Sequence, residues 1–150
     1  MVPSGVVGSK LTIKGNQTLK KTGVLHAQLS HLIATMAHGE MLVIGDAGLP
    51  VPAGVEFVDL ALKKGVPGFL ETLATVLEEL HVENAIIDTE QAEVSPQMYK
   101  EFTSMWPKDI PVRSIPHSEF QNIAKNAKAV VRTGEFTPYS NIILVSGVLF

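Results

Sequence analysis

Cysteine is absent from the 150 residues of the chain. A disulfide framework, a thiol nucleophile and a thiolate metal site are therefore excluded. Long apolar runs are absent as well, because none approaches the ~20 residues that a transmembrane helix needs, and the amino terminus lacks the continuous apolar segment of a signal peptide. We therefore expect a cytoplasmic protein without a membrane partner.

Charge of one sign is also scarce. The 12 lysines and arginines are scattered among 15 acidic residues, and the formal net charge is -3. Because a nucleic-acid-binding surface needs a basic stripe or patch, we expect no nucleic acid partner. The apolar fraction of 45% and the charged fraction of 18% are typical of a compact globular protein. A chain of this length can bury a substantial core in one domain.

The beginning of the chain differs from the rest. It contains four glycines or prolines, no helical period and only short apolar pieces. We predict a disordered or extraneous amino-terminal extension over residues 1–18 and a single domain over residues 19–150.

Apolar periodicity predicts strands that alternate with helices. Apolar residues recur at helical spacing over the ranges 26–37, 69–80, 96–106 and 118–126. Short apolar runs predict strands over the ranges 41–44, 55–62, 82–87, 111–115, 129–132 and 141–149. This alternation predicts an α/β fold in a single domain, with three α/β/α layers, a mostly parallel mixed sheet and a carboxyl-terminal strand-turn-strand.

Three short signals predict where helices begin or end. Ser95 followed by Pro96 is typical of a helix start, because serine caps well and proline suits the first helical position. Ser118 and Gln121 have the spacing of a capping box. Gly39 is expected to end the first helix, since glycine readily takes the left-handed conformation.

The segment 132–141 reads Arg-Thr-Gly-Glu-Phe-Thr-Pro-Tyr-Ser-Asn and lies between two strand-like runs. We predict a tight turn in which Gly134 takes a positive φ, Pro138 fixes the next bend and an ion pair joins Arg132 to Glu135. The turn presents several kinds of hydrogen-bonding side chain, namely Glu135, Thr137, Tyr139 and Asn141. This mixture suits a neutral polyhydroxylated ligand better than a phosphate.

Histidine is well suited to moving protons near neutrality, because its unperturbed pKa of ~6.5 leaves both forms populated. Among the five histidines, His38 lies at the end of the first predicted helix, eight residues before Asp46. We expect a helix-to-strand return to bring both side chains into one cleft. Two structural explanations stay open: the helix dipole stabilises a histidine at this place, and Asp46 is an ordinary turn residue.

His117 immediately precedes the predicted capping box. A helix N-terminus disfavours imidazolium, which would keep this ring neutral and able to accept a hydroxyl proton. The alternative is a side chain that only packs over the next turn. His26, His31 and His81 have no comparable context, and solvent-facing positions account for them.

The segment 132–141, together with the apolar end at 142–150, resembles the carboxyl terminus of the D-ribose pyranase family. The resemblance extends over residues 20–150, and the fucose mutarotases are related. It implies an enzyme that interconverts ribopyranose and ribofuranose through the open aldehyde, with no cofactor and no metal. It also implies a ring-shaped homo-oligomer, commonly a decamer, with sites at subunit contacts.

The resemblance also implies roles for individual residues. His38 would be the general acid/base, and the residues that bind the sugar would be Asp46, His117, Tyr139 and Asn141. For Tyr139 and Asn141 the alternative role is to hold the turn together, through side-chain bonds and packing.

Three residues depart from the family at two places. Gly39 and Glu40 stand where the family usually has Thr or Ala followed by Asp, so a carboxylate that orients His38 could sit differently. His26 stands where the family often has asparagine. We expect altered local hydrogen bonding at both places, with the chemistry retained.

Two other functions stay open. A fucose mutarotase shares the fold but exchanges anomers, and its terminal motif usually lacks the segment found here at 136–138, which favours the pyranase. A sugar-binding accessory protein would have no catalysis at all. Exchange of ribose and fucose forms in the presence of the protein discriminates among the three.

Overall fold

The structure is a computed structural model that describes residues 20–150, so the extension predicted for residues 1–18 lies outside the described part. The described part contains six strands: β1 Met41–Gly45, β2 Glu56–Asp59, β3 Val82–Asp88, β4 Val112–Ile115, β5 Ala129–Arg132 and β6 Ile142–Ser146. It also contains five helices: α1 Ala27–Thr35, α2 Phe69–Leu77, α3 Glu90–Val94, α4 Pro96–Met105 and α5 His117–Ala124. Each predicted strand and helix is present with shifted ends, whereas the short helix α3 was not predicted.

The six strands form one sheet in the order β2-β5-β1-β6-β3-β4. Strand β5 pairs in parallel with β1 and β2, and β3 pairs in parallel with β4. Strand β6 is antiparallel to both of its neighbours, β1 and β3. The predicted mostly parallel mixed sheet is thus confirmed. We call the edge at which β1 to β5 end the carboxyl edge, and the edge at which they begin, where β6 ends, the amino edge.

Both faces of the sheet are covered, which gives the three predicted layers. Leu42 and Ile44 of β1 face one core cluster together with side chains of α1, α2 and α4, whereas Val43 between them faces a second cluster with Phe120 and Ala124 of α5. Successive side chains of a strand point to opposite faces, so a strand buried on both sides needs a continuous apolar run. The run at 41–44 has this pattern.

Gly39 does not end α1 as predicted, because α1 ends at Thr35 and its C-cap is the extended residue Met36. The two other predicted helix caps are wrong as well. Ser95 precedes α4 but does not cap it, and its Oγ instead donates to the Pro138 carbonyl at 2.6 Å. Helix α5 begins at His117, which places Ser118 inside the helix, and the Glu90 carboxylate accepts the His117 N–H at 3.0 and 3.2 Å. In both places a tertiary partner replaces the local cap, which a short sequence window does not reveal.

The connection between β5 and β6 is a crossing loop and not the tight turn that was predicted. Strand β1 lies between β5 and β6 in the sheet, so residues 133–141 pass over the carboxyl end of β1. Gly134 serves a close backbone approach, because a Cβ there would meet the Val66 carbonyl and lie 2.6 Å from the Lys63 carbonyl oxygen. The positive φ of this loop, 61°, belongs to Tyr139.

The predicted ion pair between Arg132 and Glu135 is also wrong. Arg132 Nη2 lies 2.6 Å from Asp59 Oδ2, which ties β5 to β2. The Glu135 carboxylate accepts the Phe69 N–H at 2.9 Å and the Thr137 hydroxyl at 2.7 Å. Glu135 therefore ties the crossing loop to the start of α2.

None of the helices within residues 20–150 has the length and apolarity to span a bilayer.

Candidate functional site

Four of the five predicted site residues lie around one cavity of about 240 Å³ at the carboxyl edge. Asp46 follows β1, His117 begins α5, Tyr139 belongs to the crossing loop, and Asn141 directly precedes β6. They converge because β1 and β3 end at this edge and antiparallel β6 begins there. The carboxyl ends of parallel strands are the usual place for a ligand site in an α/β sheet.

Asn141 is the central side chain of this edge and is 1% exposed. Its Nδ2 donates to Asp88 Oδ2 at 3.1 Å, and its Oδ1 accepts the Asp46 N–H at 3.0 Å. Asn141 thereby joins the ends of β1, β3 and β6. Asn141 therefore has the structural role considered for it, which is to hold the backbone together through side-chain hydrogen bonds. These bonds also position the groups around the cavity.

Asp88 is a site residue that the sequence analysis missed. It ends β3, is fully buried, and its Oδ2 lies 2.8 Å from His117 Nδ1. Burial raises the pKa of Asp88 above its ordinary value, whereas hydrogen bonds from Asn141 and His117 oppose that rise. The sequence did contain a signal for Asp88, because this residue comes directly after an apolar run, as Asp46 does.

The imidazole of His117 is held on several sides. Its ring stacks on Phe120 with 6.1 Å between centroids, and the Tyr139 ring meets it edge-on at 5.1 Å and 81°. Nδ1 is engaged by Asp88, so Nε2 is the ring nitrogen left for a ligand in the cavity that His117 lines. This arrangement can accept a proton from a hydroxyl group or donate one to it.

Tyr139 has a backbone conformation that is uncommon for a residue with a side chain, with φ at 61°. Two residues of the segment from α3 to α4 hold it: Gln91 Nε2 donates to the Tyr139 carbonyl at 3.1 Å, and Ser95 Oγ donates to the preceding carbonyl of Pro138 at 2.6 Å. Gln91 is fully buried and Ser95 nearly so. The sequence analysis missed the role of both, because α3 has no strong helical pattern.

Asp46 combines a turn role with a position on the cavity wall. Its Oδ1 accepts the Gly48 N–H at 3.0 Å, as in an ordinary turn. Burial raises the pKa of Asp46, and hydrogen bonds from the N–H groups of Gly48, Tyr139 and Ser140 oppose that rise. A carboxylate held in this way can accept hydrogen bonds from hydroxyl groups of a ligand.

His38 lies at the opposite, amino edge. Its Nε2 is 2.9 Å from Glu83 Oε1, its side chain is 57% exposed, and the N–H of the next residue, Gly39, donates to the Ser146 carbonyl at the end of β6. Strand β1, five residues long, separates His38 from Asp46 by roughly 16 Å at about 3.3 Å per residue. The expectation that the helix-to-strand return brings both into one cleft is therefore wrong within a single chain, because the return leads into β1 and Asp46 follows its far end.

Glu40 does not orient His38. Its carboxylate accepts the Ala37 N–H at 2.7 Å and lies 3.4 Å from Lys128 Nζ. The hydrogen bond from Ala37 lowers the pKa of Glu40. The carboxylate beside His38 is instead Glu83, at the start of β3.

The remaining histidines are exposed, as expected: His26, His31 and His81. His26 also has a structural role, because its Nδ1 accepts the Leu29 N–H at 3.2 Å and so caps α1. Within residues 20–150, no three or more His, Asp or Glu side chains come together in an arrangement suited to a metal ion.

Comparison with known proteins gives matches over almost the whole chain. The sequence profile of the RbsD / FucU transport protein family matches residues 19–149. The D-ribose pyranase of Clostridium perfringens is 51% identical over 132 residues, which cover 88% of this chain and 100% of that protein.

Solved structures agree with the sequence comparison. The structure of Bacillus subtilis RbsD complexed with D-ribose has a TM-score of 0.83 and 44% identity, and the match covers 87% of this chain and 99% of that chain. The fucose mutarotase of Streptococcus pneumoniae in complex with L-fucose has a TM-score of 0.61 and 22% identity over 83% of this chain and 94% of that chain, which shows a shared fold. The resemblance seen in segment 132–141 is thereby confirmed, and the chain belongs to the RbsD / FucU transport protein family.

Proposed function

We propose that this chain is an isomerase that interconverts the pyranose and furanose forms of D-ribose without a cofactor. The main support is its 51% identity, over the full length of the relative, to a D-ribose pyranase. The cavity at the carboxyl edge supports the same proposal, because its wall supplies a carboxylate, an imidazole, a phenol and a carboxamide. These groups offer the hydrogen-bond donors and acceptors that sugar hydroxyls need.

The reaction consists of proton transfers around a ring opening and a ring closure. In the opening step, a base takes the proton of the C1 hydroxyl, the bond between C1 and O5 breaks, and O5 takes a proton from an acid. In the closing step, O4 attacks C1 of the open aldehyde, gives up its proton, and the carbonyl oxygen takes one back. The net proton count is unchanged, so two titratable side chains suffice.

We assign the proton donor and acceptor role to His38 and the hydroxyl-binding roles to Asp46, His117, Tyr139 and Asn141. The last four line one cavity. Asp46 and Asn141 are joined through a main-chain hydrogen bond, and His117 and Tyr139 are in edge-to-face contact. The sugar would thus meet a fixed polar wall on one side.

His38 completes this site only from a second subunit. It is exposed at the amino edge of its own chain, whereas the cavity is at the carboxyl edge. Contact between the amino edge of one subunit and the carboxyl edge of the next would place His38 of the partner subunit over the cavity. This head-to-tail contact generates a closed ring when its rotation closes, in keeping with the homo-oligomer, commonly a decamer, that the resemblance implies. We place this assembly in the cytoplasm.

NMR exchange spectra test the reaction. With the protein present, exchange between ribopyranose and ribofuranose should accelerate, and the rate should scale with protein concentration. Acceleration of fucose anomer exchange alone would instead identify a mutarotase. Line broadening of ribose without faster exchange would identify a binding protein.

Mixed assemblies test the shared site. His38→Ala and Asp46→Ala proteins should each lose about 10²- to 10⁴-fold in exchange rate, whereas His31→Ala, which changes another exposed histidine of the same region, should keep the wild-type rate. Co-assembly of the two inactive proteins should restore about a quarter of wild-type activity, because random mixing unites an intact cavity with an intact His38 at that share of contacts. Recovery of no activity in verified mixed assemblies would contradict the shared site.

A further inference from the structure

A buried carboxylate lies behind the cavity and touches the ring of His117. Asp88 is 0% exposed and ends β3, so it does not meet solvent within the described chain. Its Oδ2 lies 2.8 Å from His117 Nδ1 and 3.1 Å from Asn141 Nδ2. Burying a carboxylate completely is unfavourable in free energy, so its presence here suggests a functional role.

The hydrogen bonds of Asp88 limit which atoms donate. The amide nitrogen of Asn141 can only donate, so Oδ2 of Asp88 accepts there. An ionised carboxylate can only accept, so toward ionised Asp88 the donor is Nδ1 of His117. In that state the proton in the contact belongs to Nδ1 of the imidazole.

The ring of His117 has little freedom to turn over. It stacks on Phe120 and is met edge-on by Tyr139. Its main-chain N–H is held by the Glu90 carboxylate at 3.0 Å. With Nδ1–H directed at Asp88, the neutral ring presents the lone pair of Nε2 to the cavity that it lines.

We infer that Asp88 is a positioning residue, which holds His117 in the Nδ1–H tautomer so that Nε2 accepts the proton of the sugar C1 hydroxyl during ring opening. This inference rests on the proposed function and extends it by giving His117 the role of the base. In the opening step Nε2 of His117 takes the C1 hydroxyl proton, the C1–O5 bond breaks, and His38 of the partner subunit gives a proton to O5. In the closing step His38 of the partner subunit takes the proton of the O4 hydroxyl, and His117 returns its proton to the carbonyl oxygen.

A purely structural role for Asp88 is the competing explanation, because the same contacts tie β3 to α5 and β6. The two roles differ in what they predict for the imidazole. A structural tie would alter folding without selecting a tautomer. A positioning residue would alter the tautomer and the turnover number of a protein that still folds.

The first measurement needs no variant. In protein labelled with ¹⁵N-histidine, solid-state NMR should show neutral His117 with the proton on Nδ1 and a bare Nε2. A neutral ring with the proton on Nε2 would overturn the inference. Because this measurement does not depend on turnover, it is separate from the test of the proposed function, which is ring exchange by the wild-type protein.

Variants then connect the tautomer to the reaction. Asp88→Ala removes the acceptor, so His117 should shift toward the Nε2–H form and kcat for ring exchange should fall about 10²- to 10⁴-fold, with a much smaller change in KM. Asp88→Asn keeps an acceptor oxygen in the same place and should restore part of both. Glu90→Gln changes a carboxylate that bonds the main-chain N–H of His117 and not its ring, so it should keep the wild-type tautomer. A folded Asp88→Ala protein with wild-type kcat would overturn the inference.

Discussion

The two edges of the sheet are built in opposite ways. At the carboxyl edge, side chains that are almost wholly buried tie the strand ends together, with Asn141 bonded to both Asp88 and the Asp46 main chain. At the amino edge, His38 Nε2 lies 2.9 Å from Glu83 Oε1, and the two side chains are 57% and 42% exposed. One edge is thus a rigid wall fixed by its own chain, and the other presents an imidazole that is free to meet another molecule.

The difference has an energetic side. Buried polar groups are costly unless every hydrogen bond is made, so the carboxyl edge depends on each of its partners. A contact between two exposed side chains contributes little, so stability should depend little on the contact between His38 and Glu83. Substitutions at the two edges should therefore separate stability from activity.

The largest loss of stability should follow Asn141→Ala. This change leaves the buried Asp88 carboxylate with His117 as its side-chain partner and removes the acceptor of the Asp46 N–H. The free energy of unfolding should therefore fall by about 1–3 kcal/mol, and ribose binding should weaken. Chemical denaturation measures the first effect and titration with ribose the second. Asn126→Ala, at an exposed position, is the matched control and should stay within about 0.5 kcal/mol of the wild type. Equal effects at the two positions would erase the contrast between the edges.

A smaller loss should follow Ser95→Ala. The Ser95 hydroxyl donates to the Pro138 carbonyl next to Tyr139, so its removal should cost about 1 kcal/mol of unfolding free energy and raise the KM for ribose, because Tyr139 loses one of its supports. Thr103→Ala is a suitable control, since that hydroxyl only bonds a carbonyl of its own helix. An unchanged KM in Ser95→Ala would show that the position of Tyr139 does not depend on Ser95.

The pH dependence of stability should also distinguish the cavity carboxylate from an ordinary one. Burial raises the pKa of Asp46 in the folded state, so the folded protein holds that proton more tightly than the unfolded chain. Its contribution to stability is therefore present below the unfolded pKa of about 3.9 and is lost as the pH rises through the folded pKa. Unfolding free energies measured above pH 4 should fall more steeply with pH, or rise less, in the wild type than in Asp46→Asn. Parallel curves would contradict the direction of the shift.

The smallest effect on stability should come from the amino edge. Glu83→Gln removes the charge that faces His38, and because both side chains are well exposed, the free energy of unfolding should change by less than about 1 kcal/mol. Thermal or chemical denaturation at low and at moderate salt measures this. The difference in unfolding free energy between Glu83→Gln and the wild type should shrink as salt rises. A loss as large as that of Asn141→Ala would mean that the pair is structurally required.

Periodicity was enough to predict the sheet and most of its helices, because strands buried on both faces leave continuous apolar runs, such as the run that became β1. The order of the strands was not predictable from such runs. That order decides that the 133–141 loop crosses β1. The separation of His38 from Asp46 has a different cause, because the two residues precede and follow the same strand. A sequence motif indicates which residues are candidates for the site, whereas the arrangement of the sheet determines which of them lie close together.

The wrong cap predictions at Ser95 and at the capping box that begins with Ser118 have the same physical cause. Local capping competes with tertiary hydrogen bonds, and at both places the tertiary partner is present in the fold. Asp88 was missed for a different reason. It comes directly after an apolar run, as Asp46 does, but the next segment lacks the Gly-Leu-Pro sequence that is typical of a loop.

The reversed direction of β6 has one more consequence. Its first residue follows Asn141 at the cavity, and its last residue, Ser146, accepts the Gly39 N–H beside His38. Side chains alternate along a strand, so a one-residue insertion in β6 would exchange the side chains that face the two core clusters. The same insertion would shift the alignment at both of its ends together. The length and register of this single strand therefore couple the cavity at the carboxyl edge to the exposed surface around His38.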